Sequence, residues 1–115
     1  MVELSIRIDF APGQRLGPGK VRLLEQIAEQ GSIAAGGRAL GMSYKRAWDL
    51  VDEMNSIFGA PVVAPRSGGQ KGGGATLTDL GTRLVAKYRD MEKLSGQATK
   101  ALMASIANEV VTKPR

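Results

Sequence analysis

The 115-residue chain contains no cysteine and no histidine. These absences exclude disulfide bonds, thiol catalysis and the usual zinc sites, which need thiolate or imidazole ligands. The chain also lacks an uninterrupted apolar run of membrane length, so we expect neither a signal peptide nor a membrane-spanning helix. We therefore expect a cytoplasmic protein with no membrane association, no metal and no cofactor.

The charge is ordinary in amount but uneven along the chain. Residues 1–60 carry seven basic and seven acidic side chains, whereas residues 61–115 carry nine and four, which accounts for the net charge of +5. Excess positive charge favours an anionic partner, and nucleic acid fits best, although some proteins are basic merely because charge keeps them from aggregating. With 43% apolar residues, a chain of this length predicts one domain spanning residues 1–115 with a modest core.

Hydrophobic periodicity predicts a strand followed by three helices. The alternation of apolar and polar residues over 1–10 is typical of a strand with one buried face. Pro18 and Gly31 suit the start and the end of a first helix. Ser32 suits the N-cap of a second helix over 33–40, and Ser43 that of a third from Tyr44 to Phe58. The three helices lie within residues 18–58.

The rest of the chain predicts a wing and a long terminal helix. Two short strands, 62–64 and 75–77, flank a glycine-rich tip, and Thr78 suits the cap of a helix over 79–108. The apolar stripe of that helix is longer than one small core can cover, so it predicts packing against a second chain. We expect this dimerisation to use Leu84, Tyr88, Met91, Leu94, Ala98 and Leu102. The fold class is α+β, mainly helical: a winged helix-turn-helix with a long dimerisation helix.

The start of the third helix is the candidate DNA-binding site. A helix that enters the major groove presents donors from its first turns, where the positive helix end also favours phosphate. Lys45 or Arg46 could contact a guanine edge. Ser43 and Tyr44 are better suited to phosphate, and the Tyr44 ring could instead contact a thymine methyl group. Trp48 either closes the edge of the core or stands beside the DNA. The alternative is a surface helix with a solvated Lys-Arg pair.

Further DNA contacts are predicted from the wing and from the second helix. Arg66, Gln70 and Lys71 lie at the glycine-rich tip, where they could reach a phosphate or a minor groove, and Ser32 begins the second helix. The alternatives are a hairpin without a partner and an ordinary helix cap. The glycine run lacks the Gly-Lys-Ser/Thr of a nucleotide-binding loop.

No group of residues predicts an enzyme. The carboxylates of Asp49, Asp52 and Glu53 share a helix with basic neighbours and have no foreseeable apolar pocket, so a solvated or salt-bridged face is the better interpretation. These carboxylates could provide at most a weak surface metal site.

Two motifs are specific enough to indicate a family. Residues 43–48 read Ser-Tyr-Lys-Arg-Ala-Trp, and residues 66–81 combine a glycine-rich wing with a Leu-Thr-Asp-Leu-Gly helix entry. Together with Gly31-Ser32-Ile33, they resemble the N-terminal DNA-binding domain of the ModE family of molybdate-responsive transcription regulators, over most of residues 1–95. The helix-turn-helix is more distantly similar to that of the LysR regulators.

The resemblance implies a homodimer that binds double-stranded DNA at a palindromic operator and regulates molybdate uptake or molybdenum-related genes. It implies that residues 43–46, with Trp48, read the DNA and that residues 66–71 form the wing. The family binds molybdate in separate C-terminal domains, so molybdate binding is not carried over to these 115 residues. The alternative function is that of a protein-interaction adaptor that pairs with a full-length regulator.

Overall fold

The computed structural model describes residues 2–66 and 73–111. Within them lie five helices and four short strands in two antiparallel hairpins. In chain order these elements are β1 (Ile8–Ala11), β2 (Gln14–Leu16), α1 (Pro18–Gln30), α2 (Ile33–Ala39), α3 (Tyr44–Phe58), β3 (Val63–Pro65), β4 (Ala75–Leu77), α4 (Asp79–Ala98) and α5 (Lys100–Ala107). The α+β class and the winged helix-turn-helix architecture are confirmed.

The N-terminal strand is shorter than predicted and belongs to a hairpin. Strand β1 begins only at Ile8, which pairs with Leu16, and the chain reverses at Gly13, whose φ is +80°. The prediction of a strand over 1–10 was wrong because alternation reports a half-buried face and not the extent of pairing. The hairpin itself was missed, although Pro12-Gly13 is a turn signal.

The three helices predicted within residues 18–58 are confirmed, and two of them begin at a side-chain cap. Ser32 Oγ accepts a hydrogen bond from the Ala35 amide at 3.0 Å, and Ser43 Oγ accepts one from the Arg46 amide at 3.0 Å. Helix α1 ends at Gly31, whose amide donates a hydrogen bond to the Ile27 carbonyl and whose φ of +88° favours glycine. The local sequence therefore determines where these helices begin and end.

Small residues allow the helices to cross closely. A Cβ atom at Gly36 would lie 2.8 Å from the backbone nitrogen of Ile27 on α1, and one at Gly37 would lie 2.9 Å from the Cβ of Ala47 on α3. The two glycines that weaken α2 as an isolated helix thus bring α2 against both neighbours. The core beneath them consists of Leu16, Val21, Leu23, Leu24, Ile27, Ile33, Ala47, Leu50, Val51, Met54, Val62, Ala75 and Tyr88.

The wing strands pair as predicted, with β3 shifted by one residue. Val63 lies opposite Leu77, and the Ala75 amide donates a hydrogen bond to the Gly31 carbonyl at 2.7 Å. That bond fastens the base of the wing to the turn between α1 and α2. The wing tip, including Gln70 and Lys71, lies outside the described residues.

The terminal helix is interrupted, which corrects the prediction of one helix over 79–108. Helix α4 ends at Ala98 and α5 begins at Lys100, with Thr99 between them at φ −105° and ψ 6°. The Ser95 carbonyl accepts hydrogen bonds from both the Thr99 hydroxyl, at 2.6 Å, and the Thr99 amide, at 3.0 Å. Ser95 and Gly96 lie four and three residues before Thr99, and a Gly/Ser pair is a common site of helix kinks.

Candidate nucleic-acid interface

Helix α3 presents three different faces, and only one of them belongs to the core. Ala47, Leu50, Val51 and Met54 are buried against the other helices. The opposite face is polar, and its first residue, Lys45, has a side chain that is 84% exposed. This polar face is the part of α3 that is open to a large ligand.

Lys45 and Asp49 form an ion pair on the open face. The ammonium Nζ of Lys45 lies 2.9 Å from Asp49 Oδ2, one turn further along the helix. The hydrogen bond to the Asp49 carboxylate raises the pKa of Lys45 above its ordinary value. Exposed pairs of this kind contribute little to stability, so Lys45 can exchange Asp49 for another acceptor at small cost.

An aromatic pair forms the flank of α3 that faces the wing. The rings of Tyr44 and Trp48 meet edge to face with centroids 6.4 Å apart, and Trp48 is 39% exposed. Both rings line a groove of about 390 Å³ whose far wall is formed by β3 and β4. Trp48 is therefore partly exposed, and it lines the groove between α3 and the wing.

Arg46 lies on the other flank of α3. It lines a separate cleft with residues of the β1–β2 hairpin and the start of α1, including Arg15 and Lys20. The two adjacent basic residues of the sequence motif thus have different surroundings, because successive residues of a helix are rotated by about 100°. Sequence reasoning missed Arg15 and Lys20 because it did not predict the hairpin.

Of the remaining DNA-binding candidates, Ser32 and Arg66 lie within the described residues. Arg66 follows β3 and folds back over the α1–α2 turn, where a Cβ at Gly31 would lie 3.1 Å from its Nη2. Ser32 is half-buried and caps α2. The Arg66 guanidinium thus lies beside Gly31, the residue before Ser32, while Gln70 and Lys71 lie outside the described residues.

Two of the three carboxylates of α3 are engaged with basic side chains, whereas Asp52 is exposed and forms no ion pair within residues 2–66 and 73–111. Glu53 Oε1 lies 3.1 Å from Lys20 Nζ, and Asp49 pairs with Lys45. Among residues 2–66 and 73–111, no group of three or more acidic side chains is arranged to hold a metal ion. The geometry agrees with the interpretation of a salt-bridged face.

The predicted dimerisation stripe divides into a buried and an exposed part. Tyr88 is 1% exposed, and its hydroxyl donates a hydrogen bond to the Ile6 carbonyl at 2.7 Å, so it packs within its own chain. Leu84 is half-buried against the same core. Ala98 is exposed, as are Met91, Leu94 and Leu102, which are 42%, 64% and 68% exposed. The exposed part continues to Ile106, which the sequence stripe did not include.

An ion-pair cluster joins α4 to α1. Arg89 donates to both carboxylate oxygens of Glu25, with distances of 2.9 and 2.6 Å, and also to Glu92 at 2.6 Å. The hydrogen bonds from Arg89 hold the pKa of Glu25 below its usual value, and those to Glu25 and Glu92 raise the pKa of Arg89. This cluster fixes where α4 leaves the core.

The family follows from a match over the helix-turn-helix and wing. Residues 19–82, just over half of the chain, match the model of the bacterial regulatory helix-turn-helix proteins of the LysR family. The chain belongs to this family. Its members are regulatory proteins and not enzymes, in agreement with the expectation from the sequence. No helix within the described parts of this family member combines the length and apolar character needed to cross a bilayer.

Individual relatives of this LysR-family chain have names that refer to molybdenum. It is 49% identical over 80 residues to the molybdenum-pterin-binding protein MopB of Rhodobacter capsulatus, covering 70% of this chain and 30% of the relative. It is 40% identical over 103 residues to the molybdenum transport protein ModE of Azotobacter vinelandii, covering 90% and 38%. The resemblance to ModE is confirmed, and the chain spans about a third of the length of these relatives.

The likeness extends to solved LysR-family structures. The crystal structure of the CbnR DNA-binding domain in complex with DNA superposes with a TM-score of 0.59 at 20% identity, covering 76% of this chain and 95% of that one. The comparison shows a shared fold. The winged helix-turn-helix assigned from the sequence is thus the LysR-type one.

Proposed function

We propose that this chain is a transcription regulator that binds duplex DNA through α3 and the wing. The observation that carries the proposal is the open polar face of α3, which begins at Lys45 and is flanked by the wing on one side and the β1–β2 hairpin on the other. A helix exposed in this way fits the major groove of B-DNA, which is about 12 Å wide. The mechanism is occupancy of an operator without catalysis, in the bacterial cytoplasm.

The proposed roles of the residues follow from their positions on α3. Lys45 lies on the open face and is assigned to a base edge, since lysine and arginine are the usual partners of guanine. Arg46 and Ser43 lie at the flank and the cap, positions suited to phosphate. The edge-to-face rings of Tyr44 and Trp48 border the wing groove, where they can contact sugar or a thymine methyl group. In the wing we assign Arg66, Gln70 and Lys71 to phosphate contacts, and Ser32 to the backbone at the start of α2.

We propose that the functional unit is a homodimer reading a palindromic operator. Support comes from Met91, Leu94, Ala98 and Leu102, which are exposed on the terminal helices. A soluble domain that leaves such side chains on one face gains stability by covering them. The relatives' names refer to molybdenum transport and to molybdenum-pterin binding, and we propose molybdate uptake or molybdenum-related genes as targets.

Fluorescence-anisotropy titrations against promoter DNA from molybdate-transport genes test the proposal. Lys45→Ala should weaken specific binding by about 1–3 kcal/mol and relax selectivity at one base pair. Arg46→Ala should weaken binding to all sequences alike. Lys93→Ala is the matched control, because Lys93 is exposed on α4, away from the reading helix. Unchanged affinity in both α3 variants would refute the assigned roles.

The salt dependence of the same titrations separates DNA binding from the adaptor alternative. DNA affinity falls steeply with salt because bound cations are released from the phosphates. Pairing with a full-length regulator through the exposed apolar stripe would respond far less to salt. Salt-insensitive capture of such a regulator, with no DNA binding at low salt, would favour the adaptor.

A further inference from the structure

A second basic cleft lies on the flank of α3 that faces away from the wing. It has a volume of about 380 Å³ and is formed by the β1–β2 hairpin, the start of α1 and one side of α3. The charged side chains that line it are Arg7, Arg15, Lys20, Arg46 and Glu53. Residues 1–18 precede the segment matched by the family model, so the hairpin is an addition to the helix-turn-helix.

The hairpin is held firmly against α1 and α3. Leu16 at the end of β2 is 2% exposed and belongs to the core. Lys20 Nζ donates a hydrogen bond to the Arg15 carbonyl at 2.8 Å and lies 3.1 Å from Glu53 Oε1. Because the Lys20 side chain is only 11% exposed, it fastens the three elements together, and the cleft is a built feature of the fold.

The cleft retains positive charge after its internal pairs are counted. Arg7 pairs with Asp9 at 2.9 Å, and Lys20 pairs with Glu53. Arg15 and Arg46 form no ion pair with any carboxylate in residues 2–66 and 73–111. Two arginine residues from different elements thus line one cleft without an ion-pair partner among the described residues.

The uncapped start of α1 adds to this field. Its N-cap, Gly17, makes no side-chain cap hydrogen bond, and its first turn contains no acidic residue. Gly17 and Gly19 line the cleft. A Cβ at Gly19 would meet nothing within 4 Å, whereas the Arg7 side chain lies against Gly17. The first-turn amides of a helix have no acceptor within the helix, and its positive end favours phosphate.

We propose that this cleft binds a DNA backbone phosphate on the side of the major groove opposite to the wing. The inference rests on the proposed function. A helix with side chains, about 10–12 Å across, fills a groove about 12 Å wide, so a phosphate chain borders it on each flank. The wing flanks α3 beside Tyr44 and Trp48, and the hairpin flanks it beside Arg46.

The chemistry of arginine suits this role. Its planar guanidinium binds phosphate oxygens through two parallel hydrogen bonds. Phosphate contacts set the register and orientation of a protein on the duplex but carry no base information. The hairpin therefore acts as a second wing, and Arg15 positions α3 between two backbones.

The salt dependence of DNA binding by the intact chain tests the inference. Arg15→Gln should lower the affinity several-fold for operator and unrelated duplexes alike, and should reduce the slope of log K against log salt by about 0.9 for the phosphate lost. Arg15→Lys should restore most of the slope, because it restores the charge. Lys93→Gln is the control that removes one charge from exposed α4, and its slope should match that of the wild type.

The outcomes separate the cleft from the proposed function. If the wild type binds DNA and the slope of log K against log salt is the same for Arg15→Gln and Lys93→Gln, the cleft does not bind phosphate. The proposal of DNA binding would stand in that case. A wild-type protein that fails to bind any duplex at low salt would overturn both. Circular dichroism of Arg15→Gln should show an unchanged fold, since Arg15 is exposed.

Discussion

The head and the arm of this protein use apolar residues differently. The head comprises the β1–β2 hairpin, α1–α3, the wing and α4 as far as Tyr88, and it contains every buried side chain of the core. The arm runs from Arg89 to Val111, and none of its residues is buried. Leu94, Leu102 and Ile106 are each more than 60% exposed. The dimensions of 55 × 31 × 25 Å reflect this extension beyond the head.

The comparison shows that one periodic pattern can serve two purposes. Helix α4 carries a continuous apolar stripe, but only its first half meets a core of its own chain. Tyr88 marks the limit, because its ring is buried and its hydroxyl bonds to the Ile6 carbonyl. Beyond it, Arg89 closes the head with charged pairs to Glu25 and Glu92. The head is therefore stabilised by its own core, whereas none of the described arm residues is buried within its own chain.

The same substitution in the two regions should have opposite effects. A Cβ at Gly81 would collide with the Val62 carbonyl oxygen. This oxygen also accepts a hydrogen bond from the Thr78 amide at 3.0 Å. Gly81→Ala should lower the free energy of unfolding by about 2–3 kcal/mol through overpacking. In the arm, a Cβ at Gly96 would meet nothing within 4 Å, so Gly96→Ala should raise the free energy of unfolding by up to about 1 kcal/mol.

Urea denaturation of the two glycine variants provides the measurement. Equal changes in the two variants would contradict the division into a packed head and an unpartnered arm. Circular dichroism would first establish that Gly81→Ala still folds.

Charge placed on the exposed stripe should act on association and not on folding. Leu94→Glu or Leu102→Glu should raise the dimer dissociation constant at least tenfold, about 1.4 kcal/mol, because an apolar contact would have to bury a carboxylate. Folding should be unaffected, since both leucines are more than 60% exposed. Sedimentation equilibrium measures the association, with Ala101→Glu as the control, one residue away and rotated by about 100°.

An unaltered dimer in Leu94→Glu and Leu102→Glu would refute the assignment of this stripe. Weakening by Ala101→Glu to the same extent would show that general charge, and not the stripe, controls association.

The ion pair between Arg89 and Glu25 should make the free energy of unfolding fall slightly as the pH becomes acidic. Arg89 lowers the folded-state pKa of Glu25 below its ordinary value of 4.5. The stabilisation is therefore complete above that pH and is lost as pH falls through the lowered pKa. Both side chains are 36% exposed, so solvent screening limits the loss to less than about 1 kcal/mol.

Unfolding measured from pH 7 to pH 3 should show this loss in the wild type and not in Glu25→Gln. Glu29→Gln is the control, because Glu29 lies on the same helix and forms no ion pair in the described parts of the chain. A wild-type acid dependence that survives in Glu25→Gln would show that the pair does not stabilise the junction.

Much of the head could be predicted because its signals are local. Ser32, Ser43 and Thr78 are caps whose side chains bond to amides three residues ahead, and Gly31 ends α1 with a positive φ. Such contacts depend on neighbours in sequence, so they are visible in it. The motif at residues 43–48 located the start of α3 for the same reason, because Ser43 is its N-cap.

The hairpin, the helix break and the surroundings of single side chains were not predictable in this way. Strand β1 depends on pairing with β2, and the break at Thr99 is a change of one residue's backbone dihedral angles. Neither event changes the apolar periodicity. The cleft around Arg15 and Arg46 joins residues 31 positions apart, which no local pattern connects.

The sequence by itself determined the helices of the head, their caps, the wing and the family, because capping, turn chemistry and periodicity act over a few residues. The tertiary structure alone decided which apolar residues are buried, as in Tyr88 compared with Leu94. It also decided that Arg46 shares a cleft with Arg15 and Lys20, which lie on other elements. Burial and charge pairing depend on which elements meet in space, and that depends on the packing of the whole chain.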